Sequence, residues 1–329
     1  MDINKLKDYL GRDWNAVQEC INSVLMSDID MLNSVNGTIL SHSGKQLRPL
    51  ISLVMARACV PGKPLGDTTI RYAAASELLH NATLLHDDVA DESEQRRGNP
   101  TIYSLMGPSV SVLVGDYWLV KAMDIILGEA SFSDVKVIKV FSKTLSDLAE
   151  GEMFQLQKAR SGDTDEKDYL RIIYNKTASL FEAACVSAAL SVDALPEQME
   201  AARNYAVALG LAFQIKDDIL DYSGTETVGK PLGVDILEQK ITMPLLGALN
   251  NVSDSEAMRI RTLVEGVVGN PHYRDEIVDF VRSNGGVDYA VRRLEEYVAQ
   301  AVRALDVLPD SFEKDCLVEL AHFTALRNR

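Results

Sequence analysis

The sequence predicts an all-α protein that forms one domain over residues 1–329. Apolar residues recur at helical spacing almost throughout the chain, whereas β-branched or aromatic residues seldom alternate with polar ones. Clusters of glycine, proline and serine divide the chain into segments of roughly 15 to 30 residues, which is long for globular helices. These observations favour helices from one end of the chain to the other.

The order of the segments follows from the breakers between them. Helix-breaking residues occur at 44–49, 61–66, 98–100, 107–108, 161–165, 196, 223–233 and 269–271. The stretch from Thr68 to Arg97 contains neither glycine nor proline and is predicted to form one helix of about 30 residues. Glu197 to Tyr222 is predicted to form a second long helix in the same way.

Composition and charge exclude several classes of protein. The chain is 47% hydrophobic and 25% charged, which is typical of a globular protein with a sizeable core. A net charge of −15 argues against a nucleic-acid partner. The four cysteines lack CxxC spacing, and the N-terminus lacks the apolar core of a signal peptide, so we expect a cytoplasmic location. No stretch predicts a membrane span.

The pattern DDxxD occurs twice, each time near the end of a predicted long helix. The two copies, in LLHDDVAD and QIKDDILD, place aspartates at Asp87, Asp88, Asp91, Asp217, Asp218 and Asp221. Residues i and i+4 share a helix face, so each helix can present a carboxylate pair to one cation. Such oxygens, without nearby histidine or cysteine, suit Mg²⁺ that also binds a diphosphate. A solvated acidic helix end is the alternative for either motif alone.

Candidate contacts for an anionic substrate lie where the chain turns. Lys45 and Arg48, in GKQLRP, are predicted to share one face where a helix starts. His80 lies about two helical turns before Asp87 and on nearly the same face. The other candidates are Arg96, Arg97, Lys176, Lys230 and Lys240. Taken singly, each cation also fits a surface position, and His80 also fits a buried position in a helix.

Several sequence blocks follow one another in a fixed order. They are GKQLRP, ELLHNATLLHDDVADESEQRRGNPT, VGDYW, GE at 151–152 with Gln155, NKTASLF, FQIKDDILD, TVGKPLGVD and KITMP. In this order, over about residues 44–244, the chain resembles the trans-type polyprenyl diphosphate synthases of the isoprenoid synthase family. The resemblance implies a single bundle of long helices around a deep central cavity, with the aspartate motifs on opposite walls near its mouth.

The resemblance also implies a reaction. Such a prenyltransferase condenses isopentenyl diphosphate head-to-tail with an allylic diphosphate primer, assisted by Mg²⁺, about three ions per active site. The allylic diphosphate ionises, the double bond of isopentenyl diphosphate attacks the cation, and released diphosphate accepts the proton. A homodimer is expected, and a peripheral membrane contact for product release stays open.

Implied roles can be assigned residue by residue. Asp87, Asp88, Asp91, Asp217 and Asp218 would bind Mg²⁺ directly or through water, with Asp221 supporting them. The allylic diphosphate would be held by Arg96, Lys176, Lys240, Gln214 and Lys230, with Thr177 beside Lys176. Isopentenyl diphosphate would be held by Lys45, Arg48, His80 and Arg97. Catalysis would depend above all on Asp87, Asp88, Asp217, Lys176 and Lys240.

The sequence departs from the family pattern near Lys240. Gln239 stands where the family usually has glycine, and Met243 replaces a more common leucine. Arg327 and Arg329 resemble the basic tail that many members carry.

Residues before Asp87 bear on product length, because in this family the growing chain extends past them. Ala82 and Thr83 are small, and Leu79 lies deeper, so no bulky aromatic forms the floor there. This predicts an all-trans product of roughly C30 to C50, with a C20 geranylgeranyl product as the alternative. Trp118 could instead limit the cavity, or it could pack in the core.

Three other functions fit the sequence less well. A terpene cyclase needs no isopentenyl site, and GKQLRP, His80 and the intact second motif argue against it. A non-catalytic subunit that regulates a partner synthase would be expected to lack one aspartate motif, and both are complete here. A helical scaffold with acidic faces would not need the ordered blocks.

Overall fold

The secondary structure is almost entirely helical. The computed structural model describes residues 2–96, 98–128, 132–223 and 233–327, and within helix α8 it leaves the side chains of 132–134 undescribed. Over these ranges the only strands are β1 (Gln95–Arg96) and β2 (Asn99–Pro100), which pair antiparallel. The all-α class predicted from the sequence is confirmed.

The helices in chain order are as follows. The first seven are α1 (Ile3–Leu10), α2 (Arg12–Val24), α3 (Asp30–Ser41), α4 (Leu47–Cys59), α5 (Asp67–Ala90), α6 (Ile102–Met106) and α7 (Pro108–Leu127). They are followed by α8 (Phe132–Ser161), α9 (Glu166–Ile173), a π-helix (Tyr174–Ala178), α10 (Ser179–Ser191), α11 (Pro196–Ser223) and α12 (Val234–Leu237). The last are α13 (Met243–Leu249), α14 (Asp254–Gly266), α15 (Tyr273–Ser283), α16 (Gly286–Ala304), a 3-10 turn (Leu305–Val307) and α17 (Phe312–Leu326).

The contacts within the chain define two compact units. Unit 1 comprises Met1–Ser142, Ala183–Ala202 and Val307–Leu317, and unit 2 comprises Lys143–Glu182, Arg203–Asp306 and Val318–Arg329. The single domain over residues 1–329 stays a prediction. Among the described helices, none is both long enough and apolar enough to cross a bilayer.

The end of α5 differs from the prediction that one helix runs from Thr68 to Arg97. The helix ends at Ala90, and Glu92 takes the left-handed conformation with φ 50°. The Ser93 N–H then donates to the carbonyl oxygen of Asp88 at 2.9 Å, which is the closing bond of a Schellman motif. Clustered carboxylates at a helix C-terminus also oppose the helix dipole, so the helix stops here.

The start of α4 also differs from the prediction. The helix begins at Leu47, and Gln46 precedes it in the left-handed conformation with φ 53°. Lys45 therefore lies before the helix while Arg48 lies in its first turn, so the two cations do not share a helix face. Helix α11, by contrast, agrees with the predicted second long helix and extends it by one residue at each end.

In unit 1, α5 packs closely against α7 because a glycine stands at the contact. A Cβ atom at Gly115 would lie 2.4 Å from Nε2 of His86, so only glycine leaves room for that ring. His86 Nε2 also lies 3.2 Å from Oδ1 of Asp116, and the Ser111 hydroxyl donates to the Leu85 carbonyl at 2.8 Å. The block VGDYW thus fixes the position of the first aspartate motif.

In unit 2, close contacts between helices again depend on glycines. A Cβ atom at Gly247 of α13 would lie 2.5 Å from the Tyr289 Cβ of α16, so these helices pack backbone to side chain. Tyr289 donates to Oε2 of Glu166 at 2.5 Å, and Arg293 lies 2.9 Å from Oε1 of the same residue. Helix α16 therefore holds the first turn of α9 from both oxygens of one carboxylate.

Candidate active site

The first aspartate motif lies in the last turn of α5. Asp88 is buried at 5% exposure, Asp87 is half-buried, and Asp91 is exposed at the C-cap. Burial raises the pKa of Asp88 above its usual range, and the guanidinium of Arg96 opposes this rise. The three carboxylates therefore differ in their environment although the sequence pattern treats them alike.

Arg96 returns to this motif through the short hairpin. Its Nε and Nη2 atoms both lie 2.8 Å from Oδ1 of Asp88. Thr101 anchors the base of the hairpin, because its hydroxyl donates to the Ser93 carbonyl at 2.7 Å. The structure thus brings Arg96 and Asp88 together, although residues eight positions apart in one continuous helix would lie about two turns from each other.

The residues predicted to hold isopentenyl diphosphate and to measure the product also lie in unit 1. Lys45 is exposed, and Arg48 and His80 are half-buried. Leu79 and Ala82 are fully buried in α5, and the Thr83 hydroxyl donates to the His80 carbonyl at 2.8 Å. These roles stay predictions.

Trp118 is fully buried within unit 1. Its indole N–H donates to Oδ1 of Asn36 at 2.8 Å, and the Asn36 amide donates to the Leu25 carbonyl at 2.9 Å. This chain of hydrogen bonds holds the ring in one orientation and links α7 to α3. The polar tip of Trp118 is thereby satisfied in the core.

The second aspartate motif lies near the end of α11 in unit 2, and its three carboxylates have different partners. Asp217 is 42% exposed, and its Oδ1 lies 2.8 Å from Nη2 of Arg327. Asp218 is buried at 3% exposure. Both oxygens of Asp221 accept backbone N–H groups, from Val234 at 3.1 Å and from Asp235 at 3.2 Å. Asp221 therefore fixes the segment that begins α12.

Asp218 is held by two side-chain donors. The Tyr169 hydroxyl donates to Oδ2 at 2.5 Å, and the Gln214 amide donates to Oδ1 at 3.0 Å. The Thr177 hydroxyl in turn donates to Oε1 of Gln214 at 2.8 Å. Burial, with the charge of the neighbouring Asp235, raises the pKa of Asp218 well above its usual range.

Lys176 and Thr177 lie in the π-helix, which is pressed between α8 and α11. A Cβ atom at Gly151 would lie 2.6 Å from the Asn175 Cβ, and one at Gly210 would lie 2.5 Å from the Ala178 Cα. The wider π-turn often occurs at functional sites, where it redirects side chains. Lys176 here forms an ion pair with Glu152, the acidic residue of the GE block.

Lys240 follows a residue in a conformation that favours glycine. Gln239 has φ 58°, which accounts for the glycine that the family usually has at this position. Its side-chain amide donates to the Glu265 carbonyl at 2.7 Å and so anchors the turn. Lys240 forms an ion pair with Glu238. Met243, which stands where the family more often has leucine, is fully buried at the start of α13.

A cavity of about 160 Å³ in unit 2 brings these residues together. Its walls carry three lysines and several other polar groups, and they include Gln155, Lys158, Tyr169, Lys176, Thr177, Gln214, Asp218, Asp235 and Lys240. The structure thus gathers five residues that were predicted from widely separated blocks. Arg97, Lys230 and Arg329 lie outside the described residues.

Three residues of this region were missed by sequence reasoning. Tyr169 carries no motif, Glu152 was quoted only as part of a block, and Asp235 was quoted only at the end of TVGKPLGVD. Burial and the charge of Asp221 raise the pKa of Asp235 to about 7. Periodicity places Tyr169 on the apolar face of α9, and nothing local indicates the carboxylate that it contacts.

The donor set of the aspartate motifs fits a hard divalent ion. Within the described ranges, no group of three or more histidine, cysteine, aspartate or glutamate side chains is gathered so as to hold a metal ion. An ion at either motif would complete its coordination with water and phosphate oxygens, as Mg²⁺ commonly does. The carboxylate chemistry therefore fits Mg²⁺ bound together with a diphosphate.

Comparisons with known proteins identify the family. The polyprenyl synthetase family model matches residues 29–279, which is more than half of the chain. The octaprenyl diphosphate synthase of Escherichia coli is 37% identical over 100% of both chains. The all-trans-nonaprenyl-diphosphate synthase of Rhodobacter capsulatus is 37% identical over 94% of both. The chain belongs to the polyprenyl synthetase family.

A solved structure extends the comparison to the fold. The polyprenyl synthase of Caulobacter crescentus, complexed with calcium and isoprenyl diphosphate, superposes with a TM-score of 0.89 and 32% identity, covering 100% of this chain and 98% of that one. The resemblance inferred from the ordered blocks is therefore confirmed, as is the isoprenoid synthase fold that it implied.

Proposed function

We propose that this protein condenses isopentenyl diphosphate head-to-tail with an allylic diphosphate primer in a reaction that requires Mg²⁺. The protein is a polyprenyl diphosphate synthase, a transferase. The observation that carries the proposed chemistry is the cavity of unit 2, where Lys176 and Lys240 line the same walls as Gln214 and Asp218. Two cations beside hydrogen-bond donors suit the diphosphate of the allylic substrate.

The residues of this cavity act by holding the leaving group. When bound, Mg²⁺ supplies positive charge that stabilises the diphosphate as the allylic C–O bond breaks. Lys176 forms an ion pair with Glu152, and Lys240 forms one with Glu238. A diphosphate carries more negative charge than a carboxylate, so it would replace these glutamates as the partner of the two ammonium groups. Thr177 and Gln214 fix the geometry around them. In unit 1, Arg96 and the first aspartate motif are likewise proposed to bind a diphosphate together with Mg²⁺.

The product is an all-trans polyprenyl diphosphate of medium-to-long chain. The relatives named above make octaprenyl and nonaprenyl products, and these lie within the range of roughly C30 to C50 expected from the small residues before Asp87. The prediction is confirmed at this level. Within the range, we place the product near that of these relatives.

The test is a prenyl-transfer assay with radiolabelled isopentenyl diphosphate and primers of increasing length. We expect Mg²⁺-dependent incorporation into products longer than C20, which is lost when the metal is chelated. Lys176→Ala should lower kcat/KM by about a hundredfold or more, since a charged contact to the leaving group is removed. Lys139→Ala, which removes an exposed lysine of α8, is the matched control.

Two outcomes would contradict the proposal. Products that stop at C20 would favour the geranylgeranyl alternative, and wild-type protein that incorporates no label with any primer would favour the non-catalytic subunit. An equal loss of rate in Lys139→Ala and Lys176→Ala would show that the assay reports general damage.

We also propose a homodimer that assembles through α6 and α7. These helices expose several large apolar side chains, and such a stripe is unusual on a monomer surface. The exposed residues are Leu105, Met106, Val112, Leu113, Val120 and Leu127. Leu113→Asp should shift the mass in light scattering from dimer to monomer, whereas Met258→Asp, at an exposed residue of α14, should leave it unchanged.

The four cysteines support a reducing compartment such as the cytoplasm. All four lie within the described residues, and none of Cys20, Cys59, Cys185 and Cys316 forms a disulfide bond there. Fluorescence from a tagged protein in intact cells would test the location directly.

A further inference from the structure

Tyr169 occupies a position beside the second aspartate motif that no sequence block marks. It is buried at 2% exposure, and its hydroxyl donates to Oδ2 of Asp218 at 2.5 Å. Gln214 donates to the other oxygen of Asp218 at 3.0 Å. Thr177 donates to Gln214 and thereby directs the carbonyl of that amide away from Asp218. Asp218 is thus held from both oxygens.

The hydroxyl of Tyr169 is itself placed by a rigid support. Helix α9 starts with a capping box between Asp165 and Asp168. One turn before Tyr169, Glu166 receives the Tyr289 hydroxyl at 2.5 Å and lies 2.9 Å from Arg293. These contacts fix α9 against α16, so the phenol cannot follow Asp218 if that carboxylate rotates.

The consequence for the carboxylate is geometric. Asp218 follows Asp217 in the same turn of α11, and Asp218 lines the unit 2 cavity. A buried carboxylate without fixed donors would turn towards any nearby cation, including a lysine of the cavity. Groups that hold a ligand in orientation commonly contribute about tenfold or more to metal affinity.

We infer that Tyr169 is a positioning residue that fixes the Asp218 carboxylate for divalent-cation binding at the second aspartate motif. The inference rests on the proposed Mg²⁺-dependent function. Its chain of contacts runs from Thr177 through Gln214 to Asp218, with Tyr169 closing the other side. Because the Tyr169 hydroxyl acts through Asp218, the effect of removing it should be seen in metal binding before turnover.

The experiment measures Mn²⁺ binding by electron paramagnetic resonance, in the presence of inorganic diphosphate and without prenyl substrate. Tyr169→Phe should weaken Mn²⁺ binding by about tenfold. Tyr9→Phe is the matched control, because the Tyr9 hydroxyl also donates to a carboxylate, that of Glu313, at 2.5 Å, but in unit 1. Thr177→Val, which breaks the far end of the chain, should weaken binding less than Tyr169→Phe does.

Each outcome bears on the inference. Wild-type Mn²⁺ affinity in Tyr169→Phe overturns it, and so does an equal loss in Tyr9→Phe. The unfolding temperature of Tyr169→Phe in chelator is the second measurement. If it falls together with the Mn²⁺ affinity, Tyr169 has a purely structural role, and the inference is also overturned. In an Asp218→Ala background the Tyr169→Phe effect should vanish, and a persisting effect would contradict the pathway. Wild-type protein that binds Mn²⁺ but transfers no prenyl group would refute the proposed function instead.

Discussion

The guanidinium of Arg327 lies 2.8 Å from the carboxylate of Asp217, so a residue near the C-terminus neutralises the first aspartate of the second motif. The guanidinium also stacks 3.8 Å from the ring centroid of Phe213 and donates to the Phe213 carbonyl at 2.8 Å. Arg327 is only 7% exposed, although it follows the last helix. In this structure an arginine therefore supplies the positive charge that Asp217 needs.

Removing this arginine should destabilise the metal-free protein. Arg327→Ala loses the stacking and the ion pair, and about 1–2 kcal/mol of unfolding free energy is expected, because solvent screens the half-exposed Asp217. Urea unfolding in chelator measures this. Saturating Mg²⁺ should reduce the difference in unfolding free energy between the wild type and Arg327→Ala, since Asp217 then has another cation. Arg303→Ala, at an exposed residue of α16, should change little, and a loss as large there would contradict the account.

Gln239 should show the energetic effect of its left-handed conformation. Gln239→Ala removes the hydrogen bond to the Glu265 carbonyl and keeps the strain of φ 58°. Gln239→Gly removes the same hydrogen bond but relieves the strain, so it should be more stable than the alanine variant by about 1 kcal/mol. Thermal unfolding of the wild type, Gln239→Ala and Gln239→Gly measures their order of stability. An alanine variant as stable as the glycine variant would show that the backbone is unstrained.

Asp235 should make stability depend on pH. Its folded pKa is raised from 3.8 to about 7, so between these values the folded state keeps a proton that the unfolded state has lost. Stability should therefore fall as pH rises from about 4 to 7, and the full loss persists above 7. Asp235→Asn cannot titrate and so avoids this loss. Relative to the wild type, its unfolding free energy should be higher at pH 8 than at pH 4.5 by about 1 kcal/mol or more.

Urea unfolding in chelator at the two pH values tests this prediction. Asp279→Asn, at an exposed position of α15, is the control. A gain in Asp235→Asn that is the same at both pH values would exclude titration of this carboxylate as the cause.

A larger side chain at position 82 should limit the length of the product. It is fully buried in α5, five residues before Asp87, so a larger side chain must project into space that is now open or force the helix aside. A graded series of Ala82→Val, Ala82→Leu and Ala82→Phe should shorten the product stepwise, as measured by mass spectrometry of the dephosphorylated alcohols. Overpacking should cost about 1–3 kcal/mol of stability. Unchanged length throughout the series would place the floor elsewhere.

Local sequence determined much of this protein. The helical period and the breakers determined the helices and the order of the segments, because hydrogen bonds within a helix and its end signals involve residues close in sequence. The two aspartate motifs and the cations of the ordered blocks could be identified for the same reason. Where helical spacing alone was extended past the acidic end of α5, to Arg97, it failed, since a Schellman motif at Glu92 ends that helix.

Only the tertiary structure decided which partner each of these side chains has. The partners of Asp217 and Asp218, Arg327 and Tyr169, are 110 and 49 positions away in sequence, and no spacing rule connects them. The close packing of the π-helix against Gly151 and Gly210 likewise cannot be predicted from sequence spacing. Packing brings together residues remote in sequence, so the environment of each carboxylate, and with it its pKa and its role, emerges only when the helices are assembled.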